Sequence, residues 1–284
     1  KASDLPLLGE VETRFFGAYR YRAWNGSLGE TDIYSAYGSF LQKGGISKWG
    51  ALENNFLLRV GIGRYQAEND DSQALTNLWR SNVYGSLTSR FPLWTGSAAP
   101  LTPHQAYRYS PVPIIPGLAL NTNLNTTFSA YGDGKAQSTL SLSGGPTFTV
   151  GRFDKNLLSY SKVSVIAGGT LKEGSSPFSF DQAIDLGTLG FGIAQQIYGP
   201  IVLDIGVEYN IDPVSENYGE VIDSNFEIRY QRRAYDFSLY FNPYKQIGGF
   251  RIRLNDFSFD GTGVPFVPYK PPAGNVNIDK KSII

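Results

Sequence analysis

The 284-residue chain has no cysteine, no methionine, a single histidine, and equal numbers of acidic and basic residues, 25 of each. Without cysteine there is no disulfide framework and no thiolate metal site. The balanced charge offers no broad basic face, so no nucleic-acid partner is expected. No apolar run approaches the roughly eighteen residues that a membrane-crossing helix needs. No charged-then-apolar leader follows Lys1, so the chain reads as a processed mature protein or a segment of a longer one. Stretches with apolar residues every three or four positions are also scarce, which argues against a helical protein.

Glycine (32), tyrosine (18) and phenylalanine (18) are abundant instead, and they accompany a period of two. Ile201, Leu203, Ile205, Val207 and Tyr209 fall on one face, and Asp204, Gly206, Glu208 and Asn210 on the other. The same alternation runs through Phe56, Leu58, Val60, Ile62; Leu118, Leu120, Leu124, Phe128; Leu140, Leu142, Phe148, Val150; and Leu189, Phe191, Ile193. Gly, Ser, Thr, Asn, Gln and Arg dominate the opposite faces. With further candidates at 12–24, 31–42, 76–91 and 158–171, the pattern predicts an all-β protein of roughly ten to twelve antiparallel strands, each long enough to cross a bilayer when tilted.

Residues 1–259 read as one barrel domain. Residues 260–284, with Pro265, Pro268, Pro271 and Pro272, read as a tail. The stretch 92–116 carries six prolines, at 92, 100, 103, 111, 113 and 116, and reads as a long loop or plug. Residues 172–182, KEGSSPFSFDQ, form a second break.

The segment NFEIRYQRRAYDFSLYFNP, 225–243, sets a register. A turn at 231–234 pairs Tyr230 with Tyr235, Ile228 with Phe237 and Phe226 with Leu239, and puts Arg229 opposite Asp236 as an interior ion pair. A turn at 242–249 then pairs Phe241 with Phe250, Leu239 with Ile252 and Phe237 with Leu254, and sets Tyr240 and Ser238 across from Arg251 and Arg253. A soluble sandwich also has one apolar and one polar face per sheet. Strand length, strand number and the rings Tyr209, Tyr230, Tyr235 and Phe241 at strand ends favour an antiparallel transmembrane β-barrel. A passive porin, and a soluble β-sandwich binding module, are the alternatives.

The runs SPFSFDQ (176–182), QQIYGP (195–200), YQRRAYDFSLYFNP (230–243) and GGFRIRLNDFSFDGTGVPF (248–266) resemble the closing region of cyanobacterial LptD-like outer-membrane proteins, catalogued as a domain of unknown function. The resemblance covers about residues 110–268 and rests on the order and spacing of these runs. It implies a barrel in the cell outer membrane that receives lipopolysaccharide from periplasmic Lpt-bridge components and inserts it into the outer leaflet. It also implies a plug lipoprotein as partner, and neither catalysis nor a cofactor. Such proteins carry a periplasmic β-jellyroll ahead of a barrel with about twice as many strands. No jellyroll precedes residue 1 here, so the chain reads as a segment or a smaller version of that design.

Lipopolysaccharide has an anionic sugar head and acyl chains. A barrel can pass it if the seam between its first and last strands opens sideways. The candidate seam joins 12–24 to 250–259. In the latter the alternation changes phase, from Phe250, Ile252, Leu254 to Phe257, Phe259 around Asn255 and Asp256, which predicts a bulge or a strand end. Even positions of 12–24 put Arg14, Arg20 and Arg22 inside; with Arg251 and Arg253 they are candidates to contact a phosphorylated head. The plainer reading pairs them with interior carboxylates such as Glu12, Asp204, Glu208 or Glu227.

No catalytic or metal pattern competes. His104 lies in the proline-rich loop without a nucleophile elbow. Glu68-Asn69-Asp70-Asp71 lacks the spacing of a calcium loop, and no metal site is expected.

Overall fold

Alternation over more than ten residues at a time can be satisfied only by long paired strands, and the computed structural model consists of them. It describes residues 2–5, 9–69, 74–97, 102, 104, 114–151, 155–232 and 235–254. Thirteen strands form one antiparallel sheet in chain order. They are β1 (Ala2–Leu5), β2 (Gly9–Trp24), β3 (Glu30–Trp49), β4 (Leu52–Glu68), β5 (Leu75–Thr95), β6 (Gly117–Tyr131), β7 (Ala136–Gly151), β8 (Tyr160–Gly174), β9 (Gly187–Tyr198), β10 (Ile201–Asn210), β11 (Val221–Gln231), β12 (Tyr235–Asn242) and β13 (Ile247–Leu254). Twelve have eight residues or more, as the alternation predicts; the four-residue β1 is additional.

Cross-strand rows show why the register is fixed. Phe56, Leu87, Leu124 and Leu142 stand opposite one another on four successive strands. Phe148, Val163, Ile193, Ile205, Phe226 and Phe241 do so on six. All of these apolar side chains are exposed. The opposite face carries the buried groups, so the apolar face points outward and the polar face inward. A slip of one residue would exchange the two faces.

The sheet is curled. The 175–186 connection between β8 and β9 packs Phe178 against Ile33 of β3, Tyr65 of β4 and Tyr131 of β6, which a flat sheet would hold several strands away. Ala36 and Ala67 complete this interior cluster. At the opposite end Ile114 packs with Tyr160 and Ala194 against the buried Val202. The 92–116 stretch otherwise lies mostly outside the described residues. β5 continues through Pro92 to Thr95, past the expected end at 91, with a register shift between Pro92 and Trp94.

Two sequence expectations about register are corrected. Tyr230 pairs with Phe237, Ile228 with Leu239 and Phe226 with Phe241, and Arg229 faces Ser238 rather than Asp236. Likewise Leu239 pairs with Phe250, Phe237 with Ile252 and Tyr235 with Leu254, while Asp236 faces Arg253 and Ser238 faces Arg251. Both slips are of two residues, so each side chain keeps its predicted face. Alternation of period two cannot detect such a slip; turn length decides it.

Phe16 shows how close the interior packing is. Its ring tips lie where β-carbons on Gly38 and Gly63 would be, 2.9 and 2.7 Å away, and these glycines oppose each other on β3 and β4. Gly38→Val is expected to lower stability by about 3 kcal/mol through overpacking, read as a lower urea midpoint with the slope unchanged. A β-carbon there would also meet the Gly63 backbone at 2.6 Å, so an unaltered midpoint would show that the approach of Gly38 to Phe16 and to the β4 backbone is not tight.

Candidate functional site: a strapped interior beside an unpaired edge

At one rim the 175–186 connection turns into the interior as a strap. The carboxylate of Asp181 receives the Arg80 guanidinium through two hydrogen bonds, Nε–H to Oδ2 at 2.7 Å and Nη2–H to Oδ1 at 2.6 Å. Tyr131 Oη donates to the same carboxylate at 2.6 Å. Arg80 and Asp181 are both nearly buried, with side chains 9% and 13% exposed, so this pair belongs to the interior rather than the surface. Gln137 Nε2 donates to the Asp181 carbonyl at 2.8 Å, and Asn25 Nδ2 donates to the carbonyls of Ser179 and Gln182 at 2.7 and 3.0 Å. Phe178 is 0% exposed, with its ring near those of Tyr65, Tyr131 and Phe180. The strap thus fills the rim with a ring cluster and satisfies part of its own backbone from the curled sheet around it.

The strap continues to the edges of the sheet. Asp185 accepts from Asn210 Nδ2 at 2.8 Å and from the Ser27 backbone N–H at 2.8 Å. Gly26, at φ +48°, is where that carboxylate meets the β2–β3 turn; a β-carbon there would overlap it. The β12–β13 turn lies against the same place. Tyr244 Oη donates to the Gly26 carbonyl at 3.2 Å, and its ring meets Trp24 edge-on at 5.5 Å. Burial, with the carboxylates of Asp185, Glu220 and Asp223 nearby, raises the Tyr244 phenol above its ordinary value and keeps it a donor. Lys245, paired to Asp223 at 3.1 Å, reaches over the Trp24 ring. The first long strand and the last hairpin are therefore latched at this rim.

Below the latch, the described residues show no ladder between β13 and β1 or β2. β13 pairs with β12, and β1 covers only Gly9–Glu12 of β2. Phe250, Ile252 and Leu254 continue the outward apolar rows and are exposed. Asn255 and Asp256, the expected phase change, lie outside the described residues.

Inside, β10 to β13 carry a ladder of charge. Arg229 forms its ion pair with Asp204 of β10, not with Asp236. Arg251 reaches Glu227 at 3.7 Å and lies over the Tyr240 ring at 5.7 Å, and Arg253 stands across from Asp236. Arg229, Asp236, Arg251 and Arg253, with Glu227 and Ser238, line a cavity of about 20 Å³, room for about one water. The ion pair expected between Arg229 and Asp236 is thus corrected to Arg229 with Asp204, because the two-residue slip sets Ser238 opposite Arg229.

The three arginines of β2 separate. Arg14 stays on the inner side, bound to Glu12 at 2.9 Å, and Gln42 donates to the same carboxylate at 2.8 Å. Arg20 and Arg22 do not face the interior. Arg20 has φ +50°, and β3 has a register shift between Ile33 and Ser35 on the neighbouring ladder. Before this point Phe16 and Ala18 pack inward, and after it Ala23 does, so the alternation changes phase. The Arg20 guanidinium lies against the Tyr19 and Tyr34 rings on the outer wall, and Arg22 pairs with Glu30 at 2.6 Å and Asp32 at 3.4 Å.

The sequence marks the strap as a break and as the SPFSFDQ run of the resemblance, but not as an element that enters the interior. Its signal is two phenylalanines, Phe178 and Phe180, close together in a connection between strands; such rings need burial. Elsewhere, Glu68 accepts from the Asp32 backbone N–H at 2.9 Å, Asp70 and Asp71 lie outside the described residues, and His104 is exposed.

An antiparallel sheet curled in chain order around an inserted strap, polar within and apolar without, defines the architectural class. The chain belongs to the family DUF3769, described as a protein of unknown function, whose family model matches residues 5–258. Comparison with curated proteins and with solved structures gave no match.

Removing one partner of a buried ion pair costs about 3–5 kcal/mol, whereas replacing both by apolar groups costs far less. Asp181→Ala is therefore expected to raise hydrogen exchange of the strap amides at least about a hundred-fold, and Arg80→Met with Asp181→Leu to restore most of the protection. Equal exchange in the single and double variants would show that the pair does not hold the strap.

Proposed function

We propose that this chain is an outer-membrane β-barrel of the LptD-like kind that passes lipopolysaccharide through a lateral seam into the outer leaflet. The carrying observation is one sheet whose exposed face is apolar, whose enclosed face is charged and polar, and whose edge strands meet only at a latched rim among the described residues. An amphipathic glycolipid needs that combination: a polar interior for its head, an apolar exterior for its chains, and a gap in the hydrogen-bonded wall between them.

Several features support the membrane setting. A soluble sandwich turns its apolar faces toward each other; here they form rows of exposed Leu, Val, Ile and Phe across many strands, far beyond the patches that monomers leave in water. On β5 the exposed rings Trp79 and Trp94 bracket Val83, Leu87 and Phe91. Their fifteen-position separation, at about 3.3 Å per residue and a tilt of about 45°, spans about 35 Å, close to a bilayer core with its interfaces. The cyanobacterial, lipopolysaccharide-exporting identity rests on the resemblance of SPFSFDQ, QQIYGP and the β11–β13 region, and SPFSFDQ is the strap. A passive porin needs an open mouth at both ends, and the Phe178 cluster occupies one of them.

Photo-reactive side chains at Arg251, inside, and Ile252, outside, test the route. Both are expected to crosslink lipopolysaccharide in cells, and only while export is running. A protein monodisperse in water without detergent, or a steady single-channel conductance without any crosslink, would overturn the proposal.

A further inference from the structure

The outer wall of β2 to β5, just beyond the strap's rim, carries two arginines laid on aromatic rings. Arg20 lies 5.5 Å from the Tyr19 ring centre and 5.8 Å from that of Tyr34. Arg64 lies 5.9 Å from the Trp79 ring, which also meets Tyr37 edge-on. Tyr37 and Trp79 are the register partners of Arg64 on the two neighbouring strands, so the three share one face. That face is the outer one, because it continues into Ile62 and Val60.

Three observations separate these arginines from ordinary wall charges. Among the described residues neither forms an ion pair with a carboxylate: the hydrogen-bond partner of Arg64 is the neutral Asn77, at 2.9 Å. Arg22, one step along the same wall, is fully matched by Glu30 and Asp32. Arg20 reaches the wall through a left-handed backbone that only glycine adopts without cost, so its outward aim is held against a local penalty. The rings stand where a barrel has its interfacial girdle, at the level of lipid headgroups. A guanidinium has five N–H donors; Arg64 commits one to Asn77 and Arg20 shares its donors with the Tyr19 and Tyr34 hydroxyls, and those left over fit a phosphate.

We infer that this patch is a binding surface for the phosphate headgroups of anionic phospholipids in the surrounding bilayer. Each of its two guanidinium–ring sites matches one phosphate charge. The inference rests on the membrane reading above, adds a second lipid class, and places it on the outside of the wall beside the seam rather than in the interior.

The test uses the full chain in nanodiscs made of phosphatidylglycerol and phosphatidylcholine in equal parts, with co-purifying lipid counted by native mass spectrometry. Phosphatidylglycerol is expected to be retained preferentially. Arg20→Gly, which suits the left-handed backbone, and Arg64→Gln are each expected to reduce that preference about five-fold, corresponding to about 1 kcal/mol per arginine at a membrane surface. Arg22→Gln is expected to leave it unchanged. Heat-modifiable gel mobility confirms folding of every variant, and Arg64→Gln alone decides the matter if Arg20→Gly does not fold. Equal retention of both lipids, or a preference that survives loss of both arginines, would overturn the inference while leaving the membrane reading intact. Arginine-dependent retention of added lipopolysaccharide in place of phosphatidylglycerol would overturn the choice of lipid. Failure to insert into nanodiscs at all would overturn the membrane reading itself.

Discussion

The buried carboxylate of Asp181 is the constraint on which the curled shape rests. A strap turning into the interior brings backbone amides and a charge away from water, and that is tolerable only if the wall supplies partners. Arg80, Tyr131 and Gln137 do so from three successive strands, and Asn25 does so from the β2–β3 turn. Because the strap springs from β8 and β9, the bonds to Arg80 of β5 and to Asn25 of the β2–β3 turn tie together parts of the sheet that are distant in strand order. The ring cluster around Phe178 then excludes water from the ion pair, which strengthens it. Apolar packing and the polar network therefore reinforce one another at this rim.

From the strap a short path leads to the latch. Asp185 holds the Ser27 amide, and Gly26 beside it receives the Tyr244 hydroxyl. Disturbing the strap would thus be felt where the two ends of the sheet approach. Along the rest of those edges the described residues have no comparable connection. Among the described residues the wall is fastened at this rim and shows no ladder between its end strands below it, and the charged ladder of β10 to β13 leads up to that edge.

Much of the fold is legible from alternation alone. Every long predicted strand is present, and Phe226, Ile228, Phe237 and Leu239 face outward as read. Pairing was harder, because faces repeat every two residues; Arg229 therefore acquired the wrong neighbour even though its side of the sheet was right. Arg20 failed for a different reason. One residue in a left-handed conformation reverses the phase of everything after it, and no pattern of residue types announces an arginine there. The strap was hidden because a connection is read as solvent-facing by default. Phe178 and Phe180 were the indication that this one is not.

The phase change at Arg20 also bears on how an unpaired edge can persist. An exposed strand edge invites pairing with any other strand, including a second copy of the chain. On β2 the lower part of the edge is occupied by β1, and the upper part is interrupted by a residue whose left-handed backbone cannot continue a regular ladder. β13 is short, and its outward side chains are exposed and apolar. The edges are thereby kept from sealing to each other or to strangers by local geometry rather than by a covering element. The lateral exit proposed above would require this: a wall that closes too well does not open, and one left bare would aggregate.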